Sequence, residues 1–494
     1  MKLWLASRGI AGGLLIVACG LLAAGPASAA STGAMAWGEN EVGQLGNGTT
    51  LNSEVPSPVR GLSGVSALAG GERDALALLG EGTVVAWGAN EWGQLGDGTD
   101  TGPDSCRAAY AASLDYTVGC STTPTPVEGL SGVVAVAAGA QHNLALLGNG
   151  TVMAWGDNEL GQLGEGTFGP DRCHTQAEPT QCSTTPIPVS GLSEVTAIAA
   201  GEDYSLALLR NGTVMAWGSN EWGELGDGGS AWSQASPTPV ANLGGVTAIA
   251  AGGHTSLALL SNGTVMAWGA NEHGELGDGT LTQGDVPVAV SGLSEVRAIA
   301  VAGASLALRD DGTVMAWGSN ISGQLGVGTL TGPSECFPLN FCSTTPVAVS
   351  RLKHTTGIAT GGGQSLALLT DGTVAAWGLN WQGQLGIGTR ESSTLPIGVR
   401  GLSQVTALAA GDDFSLANGV PGPPSSLVTG VAPNGGPSSG GTSVTITGSD
   451  FNEATAVKFG SSDAASFTVE SDAEIEAVSP PGTGAVDVTV ETHE

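Results

Sequence analysis

Seven copies of Ala-Trp-Gly recur along the chain, with the Trp at 37, 87, 155, 217, 268, 317 and 377. Each copy is followed by Gly-(Gln/Glu)-Leu-Gly, and six copies are preceded by a Leu-Ala-Leu segment. The three longest intervals between these tryptophans contain three cysteine pairs, so they are insertions into a unit of about fifty residues. A fixed period of this length is typical of a propeller or a solenoid.

The segments within one unit predict antiparallel strands. Short apolar runs are separated by Asn-Gly or Asp-Gly, as at Asn211-Gly212 and Asp371-Gly372, which is a hairpin signature with two-residue turns. Each unit therefore gives an Ala/Gly-rich strand, a Ser-Leu-Ala-Leu strand, an Ala-Trp-Gly strand and an outer strand near a Pro-Val pair. Four-stranded sheets repeated seven times predict an all-β, seven-bladed propeller, with the Ala/Gly-rich strand nearest the axis and the Trp between blades.

The two ends of the repeat array predict that the ring closes on itself. The array enters at 34–37 in the third strand of a blade, and it leaves at 405–417 after the first two strands. Pairing of 34–59 with 405–417 completes the seventh blade and leaves no open edge. We therefore place the propeller at residues 31–417.

The repeat unit, as in Val246–Gly252 and Trp268–Gly277, resembles the regulator-of-chromosome-condensation repeat over about residues 33–417. The resemblance implies a propeller fold. It also implies guanine-nucleotide exchange, the activity of the namesake, or target binding through one face, as in the secreted bacterial β-lactamase inhibitory propeller. The His that usually precedes Ser-Leu-Ala-Leu is kept at His142. Other residues replace it in five blades: Asp74, Tyr204, Thr255, Gln364 and Phe414.

A linker at 418–426, rich in Gly, Pro and Ser, precedes a C-terminal segment of different character. Residues 427–494 alternate as half-buried strands, and Gly436–Gly448 carries a motif similar to that of TIG/IPT immunoglobulin-like domains. This resemblance implies a small β-sandwich. The last strand of such domains is expected to be missing, which leaves either a frayed edge or a truncated domain.

The N-terminus predicts export. Residues 1–30 have a basic start, an apolar stretch and a small-residue cleavage motif, with cleavage expected at Ala29 or Ala30, so that the mature chain starts near Ala30 or Ser31. The alternative is a lipid anchor at Cys19, since the preceding residues fit a lipoprotein box. The other six cysteines predict local disulfides in an exported protein, namely Cys106–Cys120, Cys173–Cys182 and Cys336–Cys342.

Charge and residue spacing exclude several classes of function. A net charge of −31 disfavours nucleic acid as a partner. The six His residues are scattered, and they predict neither a metal site nor a cofactor site. Acidic residues such as Asp97 and Asp278 recur in Gly-Asp-Gly-Thr turns, so turn structure explains them better than catalysis.

The remaining expectation is a monomer without a membrane span that binds an extracellular protein or glycan. A polysaccharide-acting enzyme is the alternative.

Strand alternation predicts the binding face. The loops after the Ala-Gly strand and after Ala-Trp-Gly fall on one face, and the Asn-Gly turns fall on the other. Aromatic anchors surrounded by acids suit a ligand with basic edges. The candidate residues on this face are Trp92, Trp222, Trp381, His273, His142, Tyr204, Phe414, Glu202, Asp203, Asp412 and Asp413.

Overall fold

A computed structural model describes residues 33–108, 116–173, 179–337, 340–422, 427–449, 451, 454–471 and 473–492. The predicted signal peptide, with Cys19 and the cleavage site at Ala29 and Ala30, lies outside these residues. The described residues form strands and turns and contain no helix, which confirms the all-β class. Among them, no helix is long and apolar enough to cross a membrane.

Seven antiparallel sheets form the propeller, and the first two strands belong to the blade that closes it. These two strands are β1 (Gly33–Gly38) and β2 (Ser53–Pro58). Blade 1 contains β3 (Val65–Gly70), β4 (Asp74–Leu79), β5 (Val84–Ala89), β6 (Asp104–Ala108) and β7 (Tyr116–Pro126). Blade 2 contains β8 (Val133–Ala138), β9 (His142–Leu147), β10 (Val152–Asp157), β11 (Asp171–Cys173) and β12 (Thr180–Pro188). Blade 3 contains β13 (Val195–Ala200), β14 (Tyr204–Leu209), β15 (Val214–Ser219) and β16 (Ser233–Pro239).

The remaining blades follow the same order. Blade 4 contains β17 (Val246–Gly252), β18 (Thr255–Leu260), β19 (Val265–Gly269) and β20 (Gly284–Ala289). Blade 5 contains β21 (Val296–Val301), β22 (Ser305–Arg309), β23 (Val314–Ser319), β24 (Ser334–Phe337) and β25 (Asn340–Ala348). Blade 6 contains β26 (Thr355–Thr360), β27 (Gln364–Leu369), β28 (Val374–Gly378) and β29 (Ser393–Gly398), and blade 7 is completed by β30 (Leu402–Ala410) and β31 (Phe414–Pro421).

The hairpin turn between the second and third strands is one residue longer than the sequence predicts. In blade 3 the amide of Gly212 donates to the Leu209 carbonyl, and the amide of Leu209 donates to the Thr213 carbonyl. Gly212 has a φ of 82°, whereas Asn211 is not in the left-handed region. This is a three-residue loop in which a type I turn is followed by a left-handed Gly, and only the Gly needs a positive φ.

The ring closes as predicted, by antiparallel pairing of β1 with β31. The predicted linker boundary at 418 is wrong, because β31 continues to Pro421 and pairs with β30 from Leu402. The physical reason is that β1 supplies the third strand of blade 7. The chain therefore makes no hairpin turn after β31, and the strand can extend. The Asn418 side chain donates to the Val65 carbonyl of blade 1 at 2.9 Å.

The seven repeat tryptophans form the contacts between blades. Each is fully buried, and each indole Nε1 donates to a main-chain carbonyl of the preceding blade. The bond from Trp37 to the Gln384 carbonyl, at 2.8 Å, joins the two ends of the array. Fully buried aromatic rings contribute much of the apolar area of a core, and an indole N–H needs a partner once it is buried. The accepting carbonyls belong to the Gly-(Gln/Glu)-Leu-Gly segment, which explains why it accompanies every Trp.

All three cysteine pairs form local disulfides within blades 1, 2 and 5. Their insertions add a fifth strand at the outer edge of each of these blades, namely β6, β11 and β24. Val42 of blade 7 packs against the Cys106–Cys120 disulfide, so this insertion also contributes to a contact between blades.

The C-terminal domain consists of two antiparallel sheets around a small core. One sheet contains β32 (Leu427–Ala432), β33 (Ser443–Ser449), β36 (Ser466–Ser471) and β37 (Glu474–Val478). The other contains β34 (Ala454–Phe459), β35 (Ser462–Asp463) and β38 (Val488–Thr492). Fully buried Ile446, Phe451 and Ile475 lie in the core. The predicted strand at 486–490 corresponds to β38, and the expected lack of a further strand stays a prediction.

Candidate binding face

The two kinds of variable loop lie side by side, as strand alternation predicts. In blade 3 the amide of Ser219, which ends the Ala-Trp-Gly strand, donates to the Asp203 carbonyl at 2.9 Å. In blade 4 the amide of Ala270 makes the same bond to the carbonyl of His254. We call the end of the propeller that carries these loops the loop face.

Short loops after the innermost strands are joined by backbone hydrogen bonds around the axis. The amide of Glu72 donates to the Ala140 carbonyl, Ala140 to Glu202, and Glu202 to Gly253. On the other side, the amide of Asp412 donates to the Gly71 carbonyl. A Cβ at Gly411 would lie 2.6 Å from the Gly71 carbonyl oxygen, so the close approach of these loops requires glycine.

These hydrogen bonds place carboxylates around the mouth of the axis. Desolvation, followed by the charges of Asp413, Glu72 and Glu202, raises the pKa of Asp412 to about 6, and the Asp412 residue itself is exposed to solvent. Burial and then the charge of Glu202 raise the pKa of Asp203 to about 6. We call these five residues (Glu72, Glu202, Asp203, Asp412 and Asp413) the axial acid cluster.

Two further acids adjoin this cluster. Glu39 in blade 7 is buried, which raises its pKa to about 7, and the charge of Arg73 opposes this shift. Glu224 in blade 3 is fully buried. Burial therefore disfavours the negative charge of Glu39 beside the cluster.

His254 connects two of these acids. Its Nδ1 lies 3.1 Å from Oε1 of Glu224, and its Nε2 lies 3.1 Å from Oε2 of Glu202. The hydrogen bond to Glu224 is the main reason why the pKa of His254 is raised. The Trp222 ring lies at 6.0 Å from the His254 ring, tilted by 33°. His254 does not stand out in the sequence, because its partners lie in the preceding blade.

Three of the predicted site residues are not on the surface. His142, Tyr204 and Phe414 are fully buried, because each is the first residue of a second strand rather than part of the loop. Nε2 of His142 lies 2.9 Å from Oγ of Ser205 in the next blade. The Tyr204 hydroxyl donates to the Thr255 carbonyl at 2.7 Å. These side chains connect blades, so they cannot contact a ligand on the face.

The predicted tryptophans differ in position and exposure. Trp92 and Trp222 are the fifth residue after the blade Trp and are half-buried, as is His273 at the same position. Trp381 is the fourth residue after its blade Trp, so it occupies a different position of the repeat. Trp381 is 72% exposed.

Exposed apolar residues also lie in the loops between the third and outer strands, and the face predicted from the sequence did not include them. Each lies just after the Gly-x-Gly turn of its blade, and that position is the sequence signal that could have found them. Trp232 is 66% exposed and Leu51 is 75% exposed. We call this set the apolar rim, and it consists of Leu51, Phe168, Trp232, Leu281 and Leu330.

The described residues hold no group of three or more His, Cys, Asp or Glu arranged to bind a metal ion. Fold and face together define the class of protein: a seven-bladed repeat propeller with an acidic loop face, followed by an immunoglobulin-like domain.

Comparisons with known families identify the repeats. The RCC1-like domain matches residues 168–417, and the regulator of chromosome condensation (RCC1) repeat matches 35–78, 81–146 and 133–162. The IPT/TIG domain matches residues 426–494. The chain belongs to the RCC1-like family, and its C-terminal segment is an IPT/TIG domain.

Curated relatives include E3 ubiquitin-protein ligase HERC2 of Homo sapiens, with 31% identity over 80% of this chain and 8% of the relative. The probable ligase HERC6 of Homo sapiens is 34% identical over 36% of this chain and 17% of the relative. This chain thus spans less than a fifth of either ligase. The ultraviolet-B receptor UVR8 of Arabidopsis thaliana is 27% identical over 74% of this chain and 77% of the receptor.

Solved structures with a similar fold include Prp20p from Saccharomyces cerevisiae, with a TM-score of 0.65, 22% identity, and coverage of 79% of this chain and 92% of Prp20p. Human WBSCR16 has a TM-score of 0.64, 24% identity, and coverage of 78% and 99% of the two chains. At these identities the similarity shows the fold alone.

Proposed function

We propose that this chain is an extracellular binding protein, without catalytic activity of its own, that holds a basic segment of a partner protein on its loop face. The observation that carries the proposal is the placement of Glu72, Glu202 and Asp412 around one opening by backbone hydrogen bonds. A rigid group of carboxylates offers several simultaneous contacts to Lys or Arg side chains without reorganising on binding.

The electrostatics of the cluster favour a cationic ligand. The pKa values of Asp203 and Asp412 are raised to about 6, so both carboxylates ionise against burial and like charge. A bound Lys or Arg side chain would stabilise the ionised forms, so binding would release protons. The affinity therefore increases as the pH rises from about 5 to 7.

The apolar rim favours a protein as the ligand. Exposed aromatic and aliphatic side chains beside charged groups are typical of protein-binding surfaces, where a few of them contribute most of the binding energy. Prp20p, whose propeller has a similar fold, has binding properties toward Gsp1p and histones, so such a fold can bind proteins. Guanine-nucleotide exchange and ubiquitin ligation are not extended to this chain, because the similarity is low or covers a small part of the relatives.

Export is part of the proposal. Residues 1–30 have the pattern of a signal peptide, and all six described cysteines form disulfides, which persist in oxidising compartments. Intact mass of the exported protein tests it, with a start near Ala30 expected. A start at Cys19 with added acyl mass would show a lipoprotein instead.

Charge-matched double variants test the binding face. The variant Glu202→Gln/Asp412→Asn removes two charges from the axial acid cluster. The control Glu81→Gln/Glu194→Gln removes two exposed charges from the opposite face. Binding of a labelled octalysine peptide is measured by fluorescence anisotropy at pH 7.5 and low salt.

We expect the cluster variant to weaken octalysine binding at least about tenfold, which is about 1.4 kcal/mol, and the control to change it less than about twofold. Equal weakening by both variants would show that net charge, and not the loop face, attracts the peptide. Absence of binding to the unmodified protein would also contradict the proposal.

A further inference from the structure

The seven innermost strands enclose a cavity of about 610 Å³ around the propeller axis. Its wall consists mainly of aliphatic side chains, such as Leu68, Ile198 and Ile249, together with the small residues of the Ala/Gly-rich strands. This volume lies within the ~300–1,000 Å³ of small-molecule pockets, which are mostly apolar with a few placed polar groups.

Among the described residues that line this cavity, Arg297 carries the one charge. It is the second residue of β21. The corresponding residues of the other innermost strands are uncharged: Ser66, Val134, Thr196, Thr247, Thr356 and Thr406. The wall is otherwise apolar or carries hydroxyl groups, so the cavity has a positive charge at one position.

The hydrogen bonds of Arg297 are incomplete. Its Nη2 donates to the Thr355 carbonyl at 2.7 Å, while its buried Nε has no hydrogen-bond partner among the described residues. A guanidinium has five N–H donors, and a half-buried cation without an anionic partner is costly. A carboxylate bound in the cavity would supply the missing charge and acceptors.

The charges along the axis also orient such a ligand. Arg297 lies four residues before Val301, where the loop of blade 5 begins, which is about 13 Å along the strand. The axial acid cluster surrounds the mouth at the loop end, so a carboxylate is repelled there and attracted at Arg297. The wall between the two positions is apolar.

We infer that the axial cavity binds an amphipathic carboxylate, with its head group at Arg297 and an unbranched apolar tail along the aliphatic wall. This site is separate from the proposed protein-binding face, whose acids repel the carboxylate but do not hold it.

The substitution Arg297→Thr tests the inference and preserves the blade. Threonine occupies this position in four other blades, and in blade 3 the Thr196 hydroxyl donates to the Leu208 carbonyl at 3.1 Å. The full exported protein is titrated with decanoate and with decanol, and binding is measured by calorimetry and native mass spectrometry.

We expect one decanoate per chain, with affinity at least about tenfold lower in Arg297→Thr, and no difference between the two proteins toward decanol. Octalysine binding should be the same in both proteins, which separates this site from the loop face. Equal binding of decanoate to both proteins, or none to the unmodified protein, would overturn the inference.

A second variant tests the apolar wall. Ala250 lines the cavity, and Ala250→Phe fills part of it while Arg297 remains. We expect decanoate binding to be lost in this variant. Retained binding in a folded Ala250→Phe protein would place decanoate outside the cavity and would contradict the inference.

Discussion

Asp74 tests how strongly burial inside the propeller disfavours an ionised carboxylate. It is fully buried, its Oδ2 accepts a hydrogen bond from Nδ2 of Asn143 at 2.8 Å, and its Oδ1 has no partner among the described residues. Burial raises its pKa to about 8 and outweighs the opposing effect of the Asn143 bond. At neutral pH the native protein therefore holds Asp74 as a neutral acid, while the unfolded chain ionises it near the ordinary value of 3.8.

The raised pKa of Asp74 makes the protein less stable as the pH rises. Between pH 4 and pH 8 the folded state binds one proton more than the unfolded state at this residue. The free energy of unfolding should therefore fall by about 1.4 kcal/mol per pH unit because of Asp74 alone. The variant Asp74→Asn keeps an acceptor for Asn143 but cannot ionise, so it removes this slope.

The assay is urea unfolding at pH 5, 6, 7 and 8. We expect the stability of Asp74→Asn relative to the unmodified protein to increase by about 1.4 kcal/mol per pH unit. The control is Asp371→Asn in an exposed turn, which recreates the Asn-Gly of blade 3. Hydrogen bonds from the Thr373 hydroxyl and amide lower the pKa of Asp371, so its effect should not vary above pH 5. A pH-independent difference for Asp74→Asn would refute the reasoning.

Three further predictions concern the contacts between blades and the insertions. Trp217→Phe removes the bond to the Gln162 carbonyl and should lower the free energy of unfolding by about 1–3 kcal/mol, measured by urea unfolding. Because the pKa of His254 is raised, its protonated form stabilises the fold below its ordinary pKa, and this is lost as the pH rises past the folded value. His254→Gln should therefore lower the thermal midpoint more at pH 6 than at pH 9. Reduction of the disulfides should open three insertions to proteolysis and cost about 2–4 kcal/mol each at most, without opening the ring. Non-reducing peptide mapping that found a bridge between different blades would contradict the pairing within blades on which this prediction depends.

The repeat made most of the fold predictable from sequence. Seven copies of the same strand pattern predict the strand order, the position of the Trp and the closure of the ring. Each copy shows the same apolar runs and Gly turns, so a weak pattern in one copy is supported by the other six. The face was harder to predict. His254 lies near Glu202 and Glu224 only because blades 3 and 4 pack together, and no sequence spacing reports that contact. The apolar rim was hidden because exposed single apolar residues are common in loops.

His142, Tyr204 and Phe414, at the start of the second strand, were wrongly predicted to lie on the loop face. The variable residue was taken as part of a loop, where variation points to ligand contact. In blades 1, 2, 3 and 7 the structure buries it against the second residue of the same strand in the next blade, and the chemistry of the two positions matches. Asp74 pairs with Asn143, and His142 pairs with Ser205.

The match extends further around the ring. The Ser256 hydroxyl donates to the Tyr204 hydroxyl at 2.9 Å, whereas Phe414 packs in one apolar cluster with Ala75. A buried polar atom needs its partner, and an apolar ring needs none. Exchanging Tyr204 and Phe414 would therefore place the Tyr hydroxyl beside Ala75, without the Ser256 partner that it has in blade 3. Variation at this position gives neighbouring blades different contacts within an otherwise uniform repeat, and it belongs to assembly of the ring rather than to ligand binding.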